Sequence, residues 1–245
     1  MKGVILAGGT GSRLLPLTKV TNKHLLPVGR KPMILWPVEK LTAAGIREIL
    51  IVTGTEHMGD IVNLLGSGVE YGCEFTYKVQ DQAGGIAQAL GLAKNFAAGG
   101  KLCVILGDNI FEDSLATAVQ AFAAQPAGAR ILLRRVPDAN RYGVADLDAA
   151  GRVVGIEEKP AQPKSDCAVT GIYFFDSSVF EVITMLKPSA RGELEITDVN
   201  NFYIRAGTMQ SGFLEGWWTD AGTFQSLARA NQQVEPPPAG AKDAR

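Results

Sequence analysis

The chain has 245 residues, enough for one large α/β domain or two small ones. With 46% apolar and 20% charged residues it has an ordinary globular composition, which excludes wholesale disorder. Its 24 Lys and Arg against 25 Asp and Glu leave a net charge of -1, which excludes the basic footprint of a nucleic-acid binder.

Val4-Ile5-Leu6-Ala7 predicts a short buried strand that breaks into the loop Gly8-Gly9-Thr10-Gly11-Ser12-Arg13. The run is too short for a signal-peptide core, and the longest apolar runs are strand-sized, so neither a leader nor a membrane span is expected. Residues 33–44 predict a helix ended by Gly45, with Pro37 in its first turn or kinking it. Strands are expected at 48–53 and 74–79, with helical character at 60–65. From Gly84 the spacing of Ile86, Leu90, Ala93 and Ala97 predicts one helix with one apolar face. Leu102–Leu106 is a third apolar strand, ending in Gly107-Asp108-Asn109. Strands alternating with helices in this way predict a Rossmann-like, mostly parallel central sheet with helices on both faces.

After about residue 136 the pattern changes. Strands at 143–147, 152–158 and 168–175, with little helix between them, predict an antiparallel segment over one end of the sheet. Helices return at 177–186, 197–206 and 222–233, and the Pro-rich tail 234–245 is expected to be disordered. The expected organisation is one domain over 1–233, in two parts that meet near 136. Cys73, Cys103 and Cys167 show neither a disulfide framework nor a zinc pattern, so they are read as reduced thiols of a cytoplasmic protein.

The glycine loop fits neither common nucleotide motif. A Walker A loop needs G-x-x-x-x-G-K-[ST], which is absent. A dinucleotide fingerprint needs a third glycine where Leu14 stands and an acidic residue after the second strand, where Thr53 and Gly54 stand; this disfavours a dehydrogenase. A plain tight turn with no ligand is one reading. The other is a phosphate cradle: backbone N–H groups unobstructed by Cβ, with Arg13 and Lys23 as fixed cations.

The blocks LAGGTGSRLLPLT, NKHLLPVGRKPMI, VQDQAGGIAQAL, LGDNIF, RYGVA, EEKPAQPKSDCAVTGIYFFD, ARGELEITDVNN and WWTDAGTFQSL occur in this order. In them the chain resembles the nucleoside-diphosphate-sugar pyrophosphorylases, and is closest in pattern to the short-form glucose-1-phosphate thymidylyltransferases. The resemblance spans residue 1 to about 233 and implies dTTP plus glucose 1-phosphate giving dTDP-glucose and pyrophosphate. UTP or another sugar 1-phosphate is the alternative, because thymine and uracil differ by one methyl. A rival of another class is a non-catalytic sugar-nucleotide-binding regulator, which the complete set of charged site residues argues against.

The resemblance also implies the site. Asp108 and Asp220 would hold Mg²⁺, a cation that takes few carboxylates beside phosphate oxygens and water. Arg13 would lie along the triphosphate, Lys23 would bridge phosphates at the reacting centre, and Lys159 would hold the sugar phosphate. The nucleotide set is Leu6, Gly8, Gly9, Gly11, Ser12, Arg13, Lys23, Gln80, Gly85 and Asp108. Within it Gln80 offers a donor and an acceptor to a pyrimidine edge, and Gly85 allows close backbone approach. Tyr142, Gly143, Glu158, Lys159 and Val169 form the sugar set. His24 stands where many thymidylyltransferases have Gln, and could still donate to base or ribose; His57 is expected to be structural. A homo-oligomer is expected; in the long form of the family, extra C-terminal helices help build an allosteric nucleotide site, and the resemblance leaves open whether this chain has such a site.

Overall fold

The computed structural model describes residues 1–235, and the tail expectation from residue 236 onward lies outside them. The strands are β1 (Lys2–Ala7), β2 (Pro27–Val28), β3 (Lys31–Pro32), β4 (Glu48–Gly54), β5 (Glu74–Gln80), β6 (Leu102–Leu106) and β7 (Asn109–Phe111), then β8 (Ala129–Arg135), β9 (Gly143–Leu147), β10 (Val153–Glu158), β11 (Cys167–Phe175), β12 (Met209–Phe213) and β13 (Trp218–Asp220). The helices are α1 (Leu35–Ala43), α2 (Met58–Leu65), α3 (Ile86–Gly91), α4 (Lys94–Ala97), α5 (Ala116–Ala124), α6 (Val179–Met185), α7 (Ile196–Arg205) and α8 (Phe224–Val234).

A nine-stranded sheet runs through both halves of the chain in the order β10-β9-β11-β6-β1-β4-β5, with β8 paired to β11 and β12 paired to β8. The β6-β1-β4-β5 portion is parallel. β11 pairs antiparallel with β6, β8 and β9, and so joins the parallel sheet to the antiparallel segment. Alternation divides the strand residues between two cores. Val4, Leu6, Leu50, Val52, Leu102 and Val104 face the layer of α3, α4, α6 and α7. Ile5, Ala7, Ile49, Ile51, Cys103 and Ile105 face the layer of α1, α2 and α5. With both faces covered, β1, β4 and β6 carry continuous apolar runs, as the sequence led us to expect, while β5 at the edge alternates.

The structure departs from the expectations in several places. The helix expected from Gly84 to Ala97 is two short helices, α3 and α4, broken at Leu92-Ala93. Leu90, Ala93 and Ala97 are nevertheless buried together, so the apolar face is preserved across the break. Residues 112–135, for which no element was expected, contain α5 and β8, and β12 was also missed. β12 (MQSGF) is an edge strand without apolar alternation, so only its parallel pairing with β8 makes it a strand.

Candidate active site

A third, smaller core positions the candidate site. Leu14, Leu26, Val28, Met33, Ile110, Ala221 and Ala230 are buried together, with Trp36, Trp217, Leu227 and Val234 packed on them. Leu14 follows Arg13, Leu26 stands three residues after Lys23, Ile110 two after Asp108, and Ala221 follows Asp220. Apolar burial, at about 25 cal/mol per Å², thus gathers four separate loops and fixes the charged residue that each carries. α8 closes this core, and a capping box between Thr223 and Ser226 fixes its start.

β7 and β13 pair in a register that sets Asp220 opposite Asn109. The Ala221 N–H donates to the Asp108 carbonyl at 2.7 Å. The two aspartates therefore flank a single backbone pairing and face one cavity of about 360 Å³. That cavity lies off the C-terminal ends of β1 and β6, where the chain order reverses across the sheet. This is the switch point at which open α/β sheets bind ligands.

Fourteen of the expected site residues line the cavity: Leu6, Gly8, Gly9, Arg13, Lys23, Gln80, Gly85, Asp108, Tyr142, Gly143, Glu158, Lys159, Val169 and Asp220. Gly11 and Ser12 do not. Gly11 takes a left-handed turn (φ 62°) and its carbonyl accepts from Thr18 Oγ1 at 2.9 Å. Ser12 begins the short 3-10 turn that carries Arg13.

The charges are arranged in pairs. Lys23 Nζ donates to Asp108 Oδ2 at 2.6 Å. Burial alone would raise the Asp108 pKa, but the Lys23 ammonium overrides it and holds this carboxyl well below the usual range. Asp220 behaves oppositely: burial, then the Asp108 charge, pushes it up to about 6. Tyr142 O–H donates to Asp220 Oδ1 at 3.3 Å, and burial, then the Asp220 charge, pushes the phenol up, so it stays a donor. Its ring meets Trp218 edge-on at 5.0 Å between centroids. A divalent cation would relieve the Asp108 charge that pushes Asp220 up, and the two carboxylates match the donors Mg²⁺ takes beside phosphate oxygens. Among the described residues no three His, Cys, Asp or Glu cluster as a self-sufficient metal site.

At the other end, Lys159 holds a left-handed backbone (φ 45°), unusual for a side chain of its size. Its ammonium is 3.4 Å from Glu158 Oε1, and Glu158 Oε2 accepts from Thr197 Oγ1 at 2.7 Å. Gln80 is buried. Its Nε2 donates to Gln88 Oε1 at 2.6 Å and to the Gly85 carbonyl at 3.3 Å, which leaves Oε1 turned toward Gly8.

His24 does not line the cavity. It is buried behind the loop, where Nδ1 donates to Asn22 Oδ1 at 2.7 Å and the ring packs against Gly107. Burial, then the Lys23 charge, lowers its pKa to about 3, so it is a neutral spacer between the two loops. His57 caps α2 with φ 60° and lies 3.2 Å from Asp60, far in sequence from any lining residue.

Several lining residues were missed by the sequence reading. Asn109 Oδ1 accepts from Gly171 N at 2.9 Å and from Trp218 Nε1 at 2.7 Å, tying the Asp108 turn to β11 and β13. It lies within the quoted LGDNIF block, which was the available signal. Arg141 bonds Asp138 at 2.8 Å and stands 3.9 Å from Asp220, and Arg191 bonds both oxygens of Glu195 at 2.9 Å. Both lay in quoted blocks, but nothing in the sequence separates them from solvated arginines.

A Rossmann-like sheet with cations and carboxylates gathered at its switch point defines an enzyme of phosphate-ester chemistry. The chain belongs to the nucleotidyl transferase family, whose pattern matches residues 2–236. A Neisseria gonorrhoeae protein named glucose-1-phosphate thymidylyltransferase is 46% identical over 238 residues, covering 96% of this chain and 83% of its own. A Bacillus anthracis protein assigned as a glucose-1-phosphate thymidylyltransferase, crystallised with a sucrose, is 60% identical with a TM-score of 0.91 over 94% of each chain. A UDP-glucose pyrophosphorylase crystallised with UDP-glucose shares the fold, with a TM-score of 0.83 at 24% identity over 94% of this chain and 96% of its own. Among the described residues no helix is long and apolar enough to cross a membrane.

Proposed function

We propose that the chain is a glucose-1-phosphate thymidylyltransferase, joining dTTP and glucose 1-phosphate to give dTDP-glucose and pyrophosphate. The observation that carries this reading is the Asp108–Lys23 pair facing Asp220 across a cavity whose other end holds Glu158 and Lys159. The relatives' names supply the particular substrates. In this reading residues up to about 136 hold the nucleotide and residues 137–233 the sugar. In the same reading the chain associates as a homo-oligomer and binds neither nucleic acid nor membrane.

An oxygen of the sugar phosphate attacks the α-phosphorus in line with the departing pyrophosphate. That nucleophile is already anionic near neutral pH, because the second pKa of a phosphate monoester is about 6. No general base is required, which agrees with His24 being neutral and outside the cavity. The chain's task is to hold two anions at attacking distance and to spread the charge that develops on the transferring group. Arg13 lies along the triphosphate and faces the leaving pyrophosphate. Lys23, anchored by Asp108, faces the reacting centre. Lys159 holds the sugar phosphate, and Glu158 accepts from sugar hydroxyls. Asp108 and Asp220 would hold Mg²⁺, which when bound neutralises phosphate charge. Gln80 Oε1 accepts from the pyrimidine N3–H, and Gly85 lets the backbone approach the ring.

The test is pyrophosphate release across the four common NTPs or dNTPs and several sugar 1-phosphates, with and without Mg²⁺. Highest kcat/KM for dTTP with glucose 1-phosphate is expected. A preference for UTP would move the substrate, and release from no pair would overturn the activity.

A further inference from the structure

Two adjacent asparagines on α7 have opposite surroundings. Asn201 is fully used: its Oδ1 accepts from Ile156 N at 2.9 Å and its Nδ2 donates to Ile156 O at 2.8 Å, which pins α7 to β10. Asn200 is only 1% exposed, yet neither its Nδ2 nor its Oδ1 has a partner among the described residues. It lines the cavity. Among the described residues the other side chains with a buried, unpaired polar atom are Gln125, Arg130, Asp138 and Thr219. Each leaves one atom unpaired, and none lines the cavity.

A buried amide with both ends unpaired costs stability that an apolar side chain of similar size would not. The fold retains that cost on the wall of the candidate active-site cavity. Thr197, one helical turn earlier on the same face, is already engaged with Glu158. Thr197, Glu158 and Asn200 thus form a polar wall in which Asn200 alone keeps its whole hydrogen-bonding capacity free. An amide has an acceptor oxygen and a donor NH₂, and two neighbouring hydroxyls on a pyranose can satisfy both at once. A site built to bond a hydroxyl rejects the analogue that lacks it far better than an apolar wall does.

We propose that Asn200 is a specificity-determining residue for the sugar 1-phosphate, its amide donating to and accepting from ring hydroxyls. The assignment rests on the thymidylyltransferase reading above and adds a residue to its sugar set.

The test uses the full chain, wild type and Asn200→Leu. Pyrophosphate release is measured with dTTP and either glucose 1-phosphate or its monodeoxy analogues, and thermal unfolding is followed alongside. Wild type is expected to lose about 5- to 150-fold in kcat/KM on the analogue lacking the contacted hydroxyl, the loss that follows from leaving one desolvated polar group unpaired. Asn200→Leu should show a similar loss with glucose 1-phosphate itself and little further loss with that analogue, because the two changes delete the same contact. Its KM for dTTP should stay at the wild-type value, and its Tm should not fall, since the substitution removes an unpaired buried amide. If Asn200→Leu discriminates among the analogues as wild type does, the assignment is overturned while the activity stands. A lowered Tm with an equal loss on every sugar assigns Asn200 to structure and likewise overturns it. If wild type releases pyrophosphate from no sugar 1-phosphate, the thymidylyltransferase reading falls and the sugar assignment falls with it.

Discussion

Lys23 and Asp108 lie 85 residues apart in the chain and meet at 2.6 Å, both largely buried, where the loops after β1 and β6 converge. The pair fixes one cation and one anion of the site against each other. A buried pair of this kind is costly to break by deleting one partner, because the other charge stays desolvated.

Asp108→Asn is therefore expected to lower stability by about 3 kcal/mol in urea unfolding, as well as removing nearly all turnover. The double variant Lys23→Met, Asp108→Asn should regain most of that stability and none of the activity. Equal urea midpoints for wild type and Asp108→Asn would mean that the pair contributes nothing to the fold.

Asp220 gives a pH dependence with a definite sign. Its carboxyl titrates near 6 in the folded chain, against 3.8 for an unperturbed group. A raised carboxyl pKa favours the folded state below about pH 4, and that contribution is lost as pH rises through about 6. Metal-free wild type should lose on the order of 3 kcal/mol across this window, whereas Asp220→Asn should show a flatter profile. In the proposed reading Mg²⁺ is held by the ionised carboxylates, so adding it should raise the wild-type Tm at about pH 7.5 far more than at about pH 5. Parallel Tm–pH curves for the two proteins would remove Asp220 from this role.

The parallel half of the fold was legible in the sequence because strands buried on both faces leave continuous apolar runs. Asp108, Asp220 and Lys159 were legible as site residues through the family resemblance, while Arg13 and Lys23 also stood out beside glycine and proline loops. Other parts left no signal. The Ala-rich stretch of α5 has no clear apolar stripe, and β12 is a strand only through its neighbour β8. The third core is assembled from single residues spread over more than 200 positions, Leu14 to Ala230, so no local window contains it. Asn200 and Asn201 are identical in sequence terms, and only the packing of α7 on β10 separates a helix tether from an unpaired amide.

The glutamine pair alters how base reading is tested. The sequence suggested that Gln80 offers both donor and acceptor to the pyrimidine, but its Nε2 is engaged by Gln88 and Gly85, leaving the acceptor. Gln80→Ala should weaken dTTP and UTP alike by about 5- to 150-fold, with their ratio unchanged. Gln88→Ala removes the bond that orients the amide, together with the longer one Gln88 Oε1 accepts from Gly84 N at 3.3 Å. A loss of about 2- to 13-fold is expected, the range for one net hydrogen bond. Calorimetric titration of dTTP and UTP into each variant measures both. Unchanged dTTP affinity in Gln80→Ala would move base recognition elsewhere.

Arg13 and Lys159 lie in different neighbourhoods of the cavity, and their kinetic signatures should differ accordingly. The Arg13 guanidinium lies so close to Gly222 that a Cβ there would come within 2.9 Å of Nη2 and 3.4 Å of Asp108 Oδ2. It therefore stands with the aspartates, where the proposed reaction develops charge on the leaving pyrophosphate. Lys159 stands beside Glu158, in the part of the cavity proposed to hold the sugar phosphate. Arg13→Ala should lower kcat by about 100-fold or more, the scale for losing one positioned charge in the transition state, with little change in KM for glucose 1-phosphate. Lys159→Ala should instead raise that KM, because it removes binding shared by ground and transition states. Gly222→Ala, by displacing the guanidinium without deleting it, should reproduce the Arg13→Ala defect in milder form. Steady-state kinetics with each substrate varied in turn separates these outcomes, and matching defects in Arg13→Ala and Lys159→Ala would refute the division between them.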